Sequence, residues 1–481
     1  MKLKLLLSVK ATLICTIIFS VCGFNAGAQE VIGLQKAVDL ALERNLTIKQ
    51  AEFTAAITNE DLKQSKYNQL PNLAVSPQGS FNFGRNIDPS TNQFSNQRIL
   101  AVNGNFTSQV TLFQGGQLRN TVIQNKILLD ADKTNVAKVK NDLILNVVTT
   151  YLLVLTNQDL VTAAQQQIDV SKIALDRAQK GFDVGNQTLA DLSQAKAQLS
   201  TNDLNYTNAE NQLEQSLLTL KQYMEMDPGT DIRVERPDIS KLNNVKTVYD
   251  AQEVVKTALA VNPDVLLAEQ RQKAAAQGVK IAKGNYYPSV VLFGAAGSYF
   301  SDAKNTPFGA TPTGKFDTVG FVQNSQQAVV VPNYKVGFKS NPFFRQLSDN
   351  FNQSVGVSLQ VPIFNRFLSR TAVRKAKLQN QNAEVTAQLA RNNLSKIIYQ
   401  AVWDLQAADK RYASATQTYN ANKDAFNIIQ QRYTVGLVNS LDYNTSLTNL
   451  NKSQFDMIEA QYQVIFRSKV IDYYLGNPIT L

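Results

Sequence analysis

The sequence predicts a mainly α-helical chain with a smaller β part, organised as two pseudo-equivalent halves. Each half is a long coiled-coil helical hairpin carrying a two-stranded β ribbon. Three observations predict this class: an internal duplication, two proline-free helical stretches of 71 residues each, and four alternating runs about as long as a membrane-spanning strand.

The duplication is read from matched short segments. Leu42-Glu43-Arg44-Asn45 reappears as Leu259-Ala260-Val261-Asn262, and Leu70-Pro71-Asn72 as Tyr287-Pro288-Ser289, both at an offset of 217. Leu112-Phe113 then meets Ile363-Phe364, Phe182-Asp183-Val184-Gly185 meets Tyr433-Thr434-Val435-Gly436, and Asp191 meets Asp442, all at an offset of 251. The offset grows by 34 between Tyr299 and Asn350, where Pro307, Pro312, Pro332, Pro342 and several glycines read as a loop insertion. A period above 200 residues is too long for a solenoid and indicates two halves.

The elements follow in order. Residues 1–28 read as a cleaved secretory signal: Lys2 and Lys4, an apolar core from Ala11 to Val21, and the small-x-small site Ala26-Gly27-Ala28. A lipoprotein cut before Cys22 is the rival, disfavoured by Val21 where a small residue is expected. Residues 29–229 form the first repeat, with helix 34–69, strands 73–83 and 102–113, and helices 114–184 and 189–226. Residues 230–250 connect the halves. Residues 251–481 form the second repeat, with helix 251–285, strands 290–300 and 353–364, and helices 365–435 and 441–475. Along the strands, Val102, Phe106, Val110 and Leu112 oppose Asn103, Asn105, Thr107, Gln109 and Thr111, and Val355, Val357, Leu359, Val361 and Ile363 oppose Ser354, Gly356, Ser358 and Gln360. In the second long helix Leu394, Ile398, Ala401, Leu405, Ala408, Tyr412, Ala415 and Tyr419 step by four and three, a coiled-coil seam.

Composition narrows the function. The chain has 481 residues and a formal charge of +10. Removing Lys2, Lys4 and Lys10 with the signal leaves 10 − 3 = +7, and no basic run gives a nucleic-acid footprint. There are 89 Asn and Gln against 48 + 38 = 86 charged residues, a polar but weakly charged surface suited to facing water. Histidine is absent, and both cysteines, Cys15 and Cys22, lie within the signal. Imidazole- or thiol-activated nucleophiles and the metal sites that need them are excluded. No cofactor, metal site or enzymatic activity is expected. No stretch past the signal has 18 consecutive apolar residues, so a β-barrel is the route into a membrane. Four strands cannot close one, and a water-filled lumen favours three chains.

The paired halves, Leu112-Phe113-Gln114-Gly115-Gly116 at a strand-to-helix junction and the twin Val-Gly…Asp turns resemble the TolC-like outer-membrane efflux protein family over essentially the whole mature chain. The resemblance implies a homotrimer with a 12-stranded barrel in outer-membrane lipid of a Gram-negative bacterium, continued by a periplasmic α-helical tunnel. It implies a passive exit channel for efflux or type I secretion, docked to a periplasmic membrane-fusion adaptor and an inner-membrane pump of the RND or ABC type. By the same resemblance the turns carrying Val184, Gly185, Asn186 and Thr188, and Val435, Gly436, Asn439 and Ser440, are the periplasmic tips where the adaptor docks. Asp442 matches a ring aspartate of the entrance, Tyr433 a gate tyrosine, and Asp191 the carboxylate of the neighbouring hairpin. Val438 and Thr445 depart from the family's gate arginine and second ring aspartate. The blander reading of Asp191 and Asp442 is helix capping alone, and of Tyr433 a seam residue. Two alternatives compete with the channel: an exported coiled-coil interaction protein without a pore, and a periplasmic adaptor. The four symmetric strands disfavour both.

Overall fold

The computed structural model describes residues 30–87, 92, 94–96, 98–236 and 246–477; the expected signal peptide lies outside the described residues. In chain order the elements are β1 (Glu30–Ile32), α1 (Leu34–Arg44), α2 (Leu46–Tyr67), β2 (Asn72–Asn82), β3 (Asn86–Ile87), β4 (Phe94–Ser95), β5 (Ile99–Gln114), α3 (Gln117–Asp183), α4 (Leu189–Tyr223) and β6 (Ile232–Val234). The second half follows with α5 (Ala251–Val261), α6 (Pro263–Lys283), a 3₁₀ turn (Gly284–Tyr286), β7 (Ser289–Ser301), β8 (Asn305–Phe321), β9 (Ala328–Ser340), α7 (Phe343–Asp349), β10 (Asn352–Gln360), α8 (Leu368–Thr434) and α9 (Ser440–Leu475). Two compact units result, one of residues 1–58, 128–272 and 382–481, the other of 59–127 and 273–381.

The second unit holds a four-stranded antiparallel sheet in the order β10-β7-β5-β2. Its register places Leu73, Val75, Phe106, Val110, Leu292, Val355 and Val357 on one face, and Ser76, Asn105, Thr107, Ser354 and Ser358 on the other. Most of that apolar face is exposed in the single chain, Val355 at 83%. A one-residue bulge at Leu112 resets β5 against β7 before the chain enters α3. β2 and β10 are the outer strands, each paired on one side only among the described residues.

Three sequence expectations need correction. The segment read as a loop insertion is a β-hairpin, β8–β9, followed by α7. Pro307, Pro312 and Pro332 sit in a ribbon whose two strands are both edges among the described residues, where a missing N–H is tolerated, Pro342 caps α7, and Gly309 and Gly314 take positive φ at register shifts. The helices expected over 34–69 and 251–285 are each broken. Asn45 and Asn262 turn extended (ψ 127° and 125°), and each side-chain oxygen accepts from the backbone N–H two residues on, at 2.9 Å. Pro263 then occupies the first position of α6, where its fixed φ suits a helix start. The last strand stops at Gln360 rather than 364, ahead of Pro362, which has no N–H to lend a ladder.

In the first unit β1 and β6 pair in parallel beside a core of Val147, Tyr151, Leu155, Leu220 and Met224. Tyr151 Oη donates to the Glu235 carbonyl at 2.7 Å, and burial raises its pKa well above the ordinary phenol value. The seam residues Leu394, Ile398, Ala401, Leu405 and Ala408 pack with Val254, Ala258 and Ile471 in a second core. α3 is apolar enough by composition to span a bilayer, but Leu143, Val147, Val148, Tyr151, Leu152, Val154 and Leu155 of its apolar stretch are buried in the first core. Trp403, the single tryptophan of the chain, is exposed, and its ring centroid lies 6.3 Å from that of Tyr399.

Candidate functional site at the hairpin turns

The α3–α4 and α8–α9 reversals share one backbone plan. Each helix ends in a left-handed glycine, Gly185 at φ 78° and Gly436 at φ 76°. Gly185 N–H donates to Phe182 O and Asn186 N–H to Gly181 O; Gly436 N–H donates to Tyr433 O and Leu437 N–H to Arg432 O. This paired closure satisfies carbonyls that a helix end would leave unpartnered, and it needs a residue without a Cβ penalty.

The returning helices start on side-chain caps. Thr188 Oγ1 accepts from Asp191 N–H (3.2 Å), while Asp191 Oδ2 accepts from Thr188 N–H (3.0 Å) and from Thr188 Oγ1 (2.7 Å), a reciprocal capping box. In the second turn Asn439 Oδ1 accepts from Asp442 N–H at 2.8 Å. The Asp442 carboxylate is exposed and has no hydrogen-bond or ion-pair partner among the described residues.

The two turns meet. The Ser440 hydroxyl donates to the second carboxylate oxygen of Asp191. That bond, and then those from Thr188, hold the Asp191 carboxyl below the usual carboxylate range. Gln187 Nε2 donates to the Tyr433 hydroxyl at 3.1 Å. Tyr433 in turn stacks on Tyr443, with ring centroids 4.6 Å apart and planes at 22°. Tyr443, Phe426 and Leu447 form a buried cluster that also takes in Val170 and Ala174 of α3, so the second turn is packed onto the first hairpin.

The expected site residues therefore divide. Asp191 and Tyr433 each bridge the two turns, but through different partners: Asp191 takes Ser440 and Tyr433 takes Gln187. Val184, Gly185, Asn186, Thr188, Val435, Gly436 and Asn439 are exposed, whereas Ser440 is buried. Sequence reasoning missed Gln187 and Tyr443. Gln187 carried a usable signal: at the offset of 251 it is the counterpart of Val438, the position singled out as lacking a gate arginine. No group of His, Cys, Asp or Glu able to hold a metal occurs among the described residues.

Comparison with known proteins supplies the context. A family model described as outer membrane efflux protein matches residues 37–224 and 254–477. The outer membrane protein TolC of Escherichia coli (strain K12) is 27% identical over 375 residues, covering 73% of this chain and 71% of TolC. The outer membrane protein VceC of Vibrio cholerae superposes with a TM-score of 0.73 at 15% identity, over 93% of this chain and 97% of VceC. The Campylobacter jejuni CmeC outer membrane channel superposes with a TM-score of 0.71 at 18% identity, over 92% of this chain and 85% of CmeC.

Proposed function

We propose a function that starts from one fact: the chain belongs to the outer membrane efflux protein family, a family of outer-membrane channels and not of enzymes. Our reading is that three chains assemble into the exit channel of a multicomponent efflux or type I secretion system. Each chain contributes four strands to a 12-stranded barrel and its helical hairpins to a periplasmic tunnel. The channel is a passive duct; an inner-membrane pump supplies the energy and a periplasmic adaptor joins the two.

The observation that carries this reading is the sheet. It exposes an apolar face of membrane-strand length and, among the described residues, leaves β2 and β10 each with an unpaired edge. An open edge is costly in hydrocarbon, and closure removes it. Four strands are too few to close, whereas three copies give a barrel wide enough for a lumen. The turns supply the entrance. Their exposed Val184, Asn186, Val435 and Asn439 suit adaptor docking, and Asp442, with its carboxylate free, suits a three-fold ring of negative charge at the opening. The Asp191–Ser440 and Gln187–Tyr433 bonds suit a latch that holds the hairpins together when the entrance is closed.

The test is assembly and conductance. Purified full-length protein should run as a trimer in detergent and form pores in planar bilayers in that state alone. A stable conducting monomer, or a protein released from membranes by salt without detergent, would overturn the reading.

A further inference from the structure

α8 begins with an unusual concentration of positive charge. Between residues 365 and 383 there are five cations, Arg366, Arg370, Arg374, Lys375 and Lys377, and no acidic residue. All five are exposed, and no carboxylate pairs with any of them among the described residues. Within α8, Arg370, Arg374 and Lys377 stand four and three residues apart, so like charges are neighbours along one side of the helix, an arrangement that destabilises it. They also stand at the helix N-terminal end, where the backbone dipole disfavours cations and α8 places no acid in its first turn. Helix stability alone does not account for this choice of residues.

The surroundings indicate what would offset it. The run starts three residues after Ile363, which is 96% exposed and closes the apolar series Val355, Val357, Leu359, Val361. Between the apolar series and the charges lie two exposed rings, Phe364 and Phe367, in edge-on contact at 5.5 Å, with the Arg370 guanidinium over the Phe367 ring. Arg366 and Phe367 themselves adopt left-handed backbone, φ 56° and 60°. Their counterparts in the first half are Gly115 and Gly116, for which that conformation is free of steric cost. The second half thus holds a bulky cation and a ring where glycine would fit more easily.

We infer that this segment is a binding surface for the phosphate headgroups of acidic phospholipids, at the boundary where the apolar strand face gives way to the helices. The inference rests on the outer-membrane channel reading and deepens it by naming the lipid chemistry recognised. Apolar side chains, then aromatic rings, then unpaired cations form the sequence expected across a membrane interface. The partner is an anion presented by a bilayer, because the charges follow directly on the apolar series.

The experiment uses the full-length protein as its detergent-solubilised assembly, titrated separately with phosphatidylglycerol and phosphatidylcholine, with bound lipid counted by native mass spectrometry. The wild type should prefer phosphatidylglycerol. A variant carrying Arg370→Gln, Arg374→Gln and Lys377→Gln should lose about fivefold of that preference per charge at low ionic strength, on the order of 100-fold in all. Glutamine is a good helix former and the three positions are exposed, so folding should be unaffected. Changing Arg119→Gln and Lys126→Gln, the counterparts in the first half, should leave most of the preference in place. Four results would overturn the inference: the triple variant keeps its preference; it loses both lipids equally; glycerol 3-phosphate in solution competes as well as the lipid; or the ion selectivity of the reconstituted pore shifts while lipid preference stays. Failure of the channel reading would look different, as a chain that forms no trimer and no pore.

Discussion

The two hairpin turns have nearly the same backbone and divided side-chain roles. Each has a left-handed glycine, a two-bond helix closure and a polar N-cap three residues before an aspartate. At the offset of 251, Phe182 faces Tyr433, Gln187 faces Val438, Leu189 faces Ser440 and Leu192 faces Tyr443. The first turn supplies the acceptor Asp191 and the donor Gln187; the second supplies the matching donor Ser440 and acceptor Tyr433. As a result one aspartate is engaged by its neighbours and the other is left exposed. Duplication preserved the parts that the backbone requires, and the side chains around them diverged into complementary halves of one contact.

The largest effect should come from the buried residues that follow the aspartates. Tyr443 is 5% exposed, stacked on Tyr433 and packed in a cluster reaching across to α3, so Tyr443→Ala should cost about 3–5 kcal/mol. Leu192, 4% exposed, packs in a smaller cluster with Ala178 and Ala195, and Leu192→Ala should cost about 2–3 kcal/mol. Chemical denaturation of the solubilised protein measures both. Equal losses would mean that the second turn is not packed across the hairpins more tightly than the first.

The glycines test the shared part. A Cβ at Gly185 or Gly436 would meet nothing within 4 Å, so the cost of alanine is conformational alone. It should be about 1–2 kcal/mol and the same in both turns. A difference beyond about 0.5 kcal/mol between Gly185→Ala and Gly436→Ala would show that the two backbones are not equivalent.

How much of this was legible in the sequence follows from the range of the interactions. The coiled-coil seam from Leu394 and the alternation in β5 and β10 are local periodicities, set by which face is apolar, and a reader of sequence sees them directly. The turn glycines are equally local, because positive φ leaves few alternatives. The β8–β9 hairpin was obscured by its prolines and glycines, which mark loops elsewhere but fit bulges and edge strands in an isolated ribbon. The helix breaks at Asn45 and Asn262 were marked by duplicated asparagines and by Pro263, a signal outweighed by the surrounding helical pattern. The Gln187–Tyr433 contact joins residues 246 apart and depends on how the hairpins pack. No sequence spacing encodes it.

A smaller effect is expected at Asp191. Its carboxylate accepts from Thr188 N–H, Thr188 Oγ1 and Ser440 Oγ, and Asp191→Asn can reproduce only part of that set. The cost should be about 1 kcal/mol, with raised resting conductance if the latch holds the entrance shut. The pH dependence has a definite sign. A carboxyl whose pKa is lowered on folding stabilises the fold fully above its unfolded value, and that contribution is lost as pH falls through the lowered folded value. Acidification below about pH 4 should therefore loosen the contact in the wild type and have less effect in Asp191→Asn. Conductance of the two proteins across that range is the measurement. Identical acid responses would show that the carboxylate of Asp191 is not what couples the turns.

The smallest effect on stability, and the most informative for transport, is expected at Asp442. Its backbone N–H is held by Asn439, a bond that does not involve its own side chain, and its carboxylate has no partner among the described residues. Asp442→Asn should therefore change stability by no more than about 0.5 kcal/mol. In the proposed trimer, however, the same change would remove three negative charges from one opening, where low-dielectric walls would screen them poorly. Cation selectivity should fall, and block by multivalent cations should weaken, without a rise in resting conductance. Asp191→Asn should do the reverse, raising resting conductance and leaving selectivity in place. Single-channel recording of the two asparagine variants separates the roles. If both change the same property, the two aspartates are not divided as proposed. If Asp442→Asn leaves selectivity and block unaltered, its carboxylate does not face the conduction path.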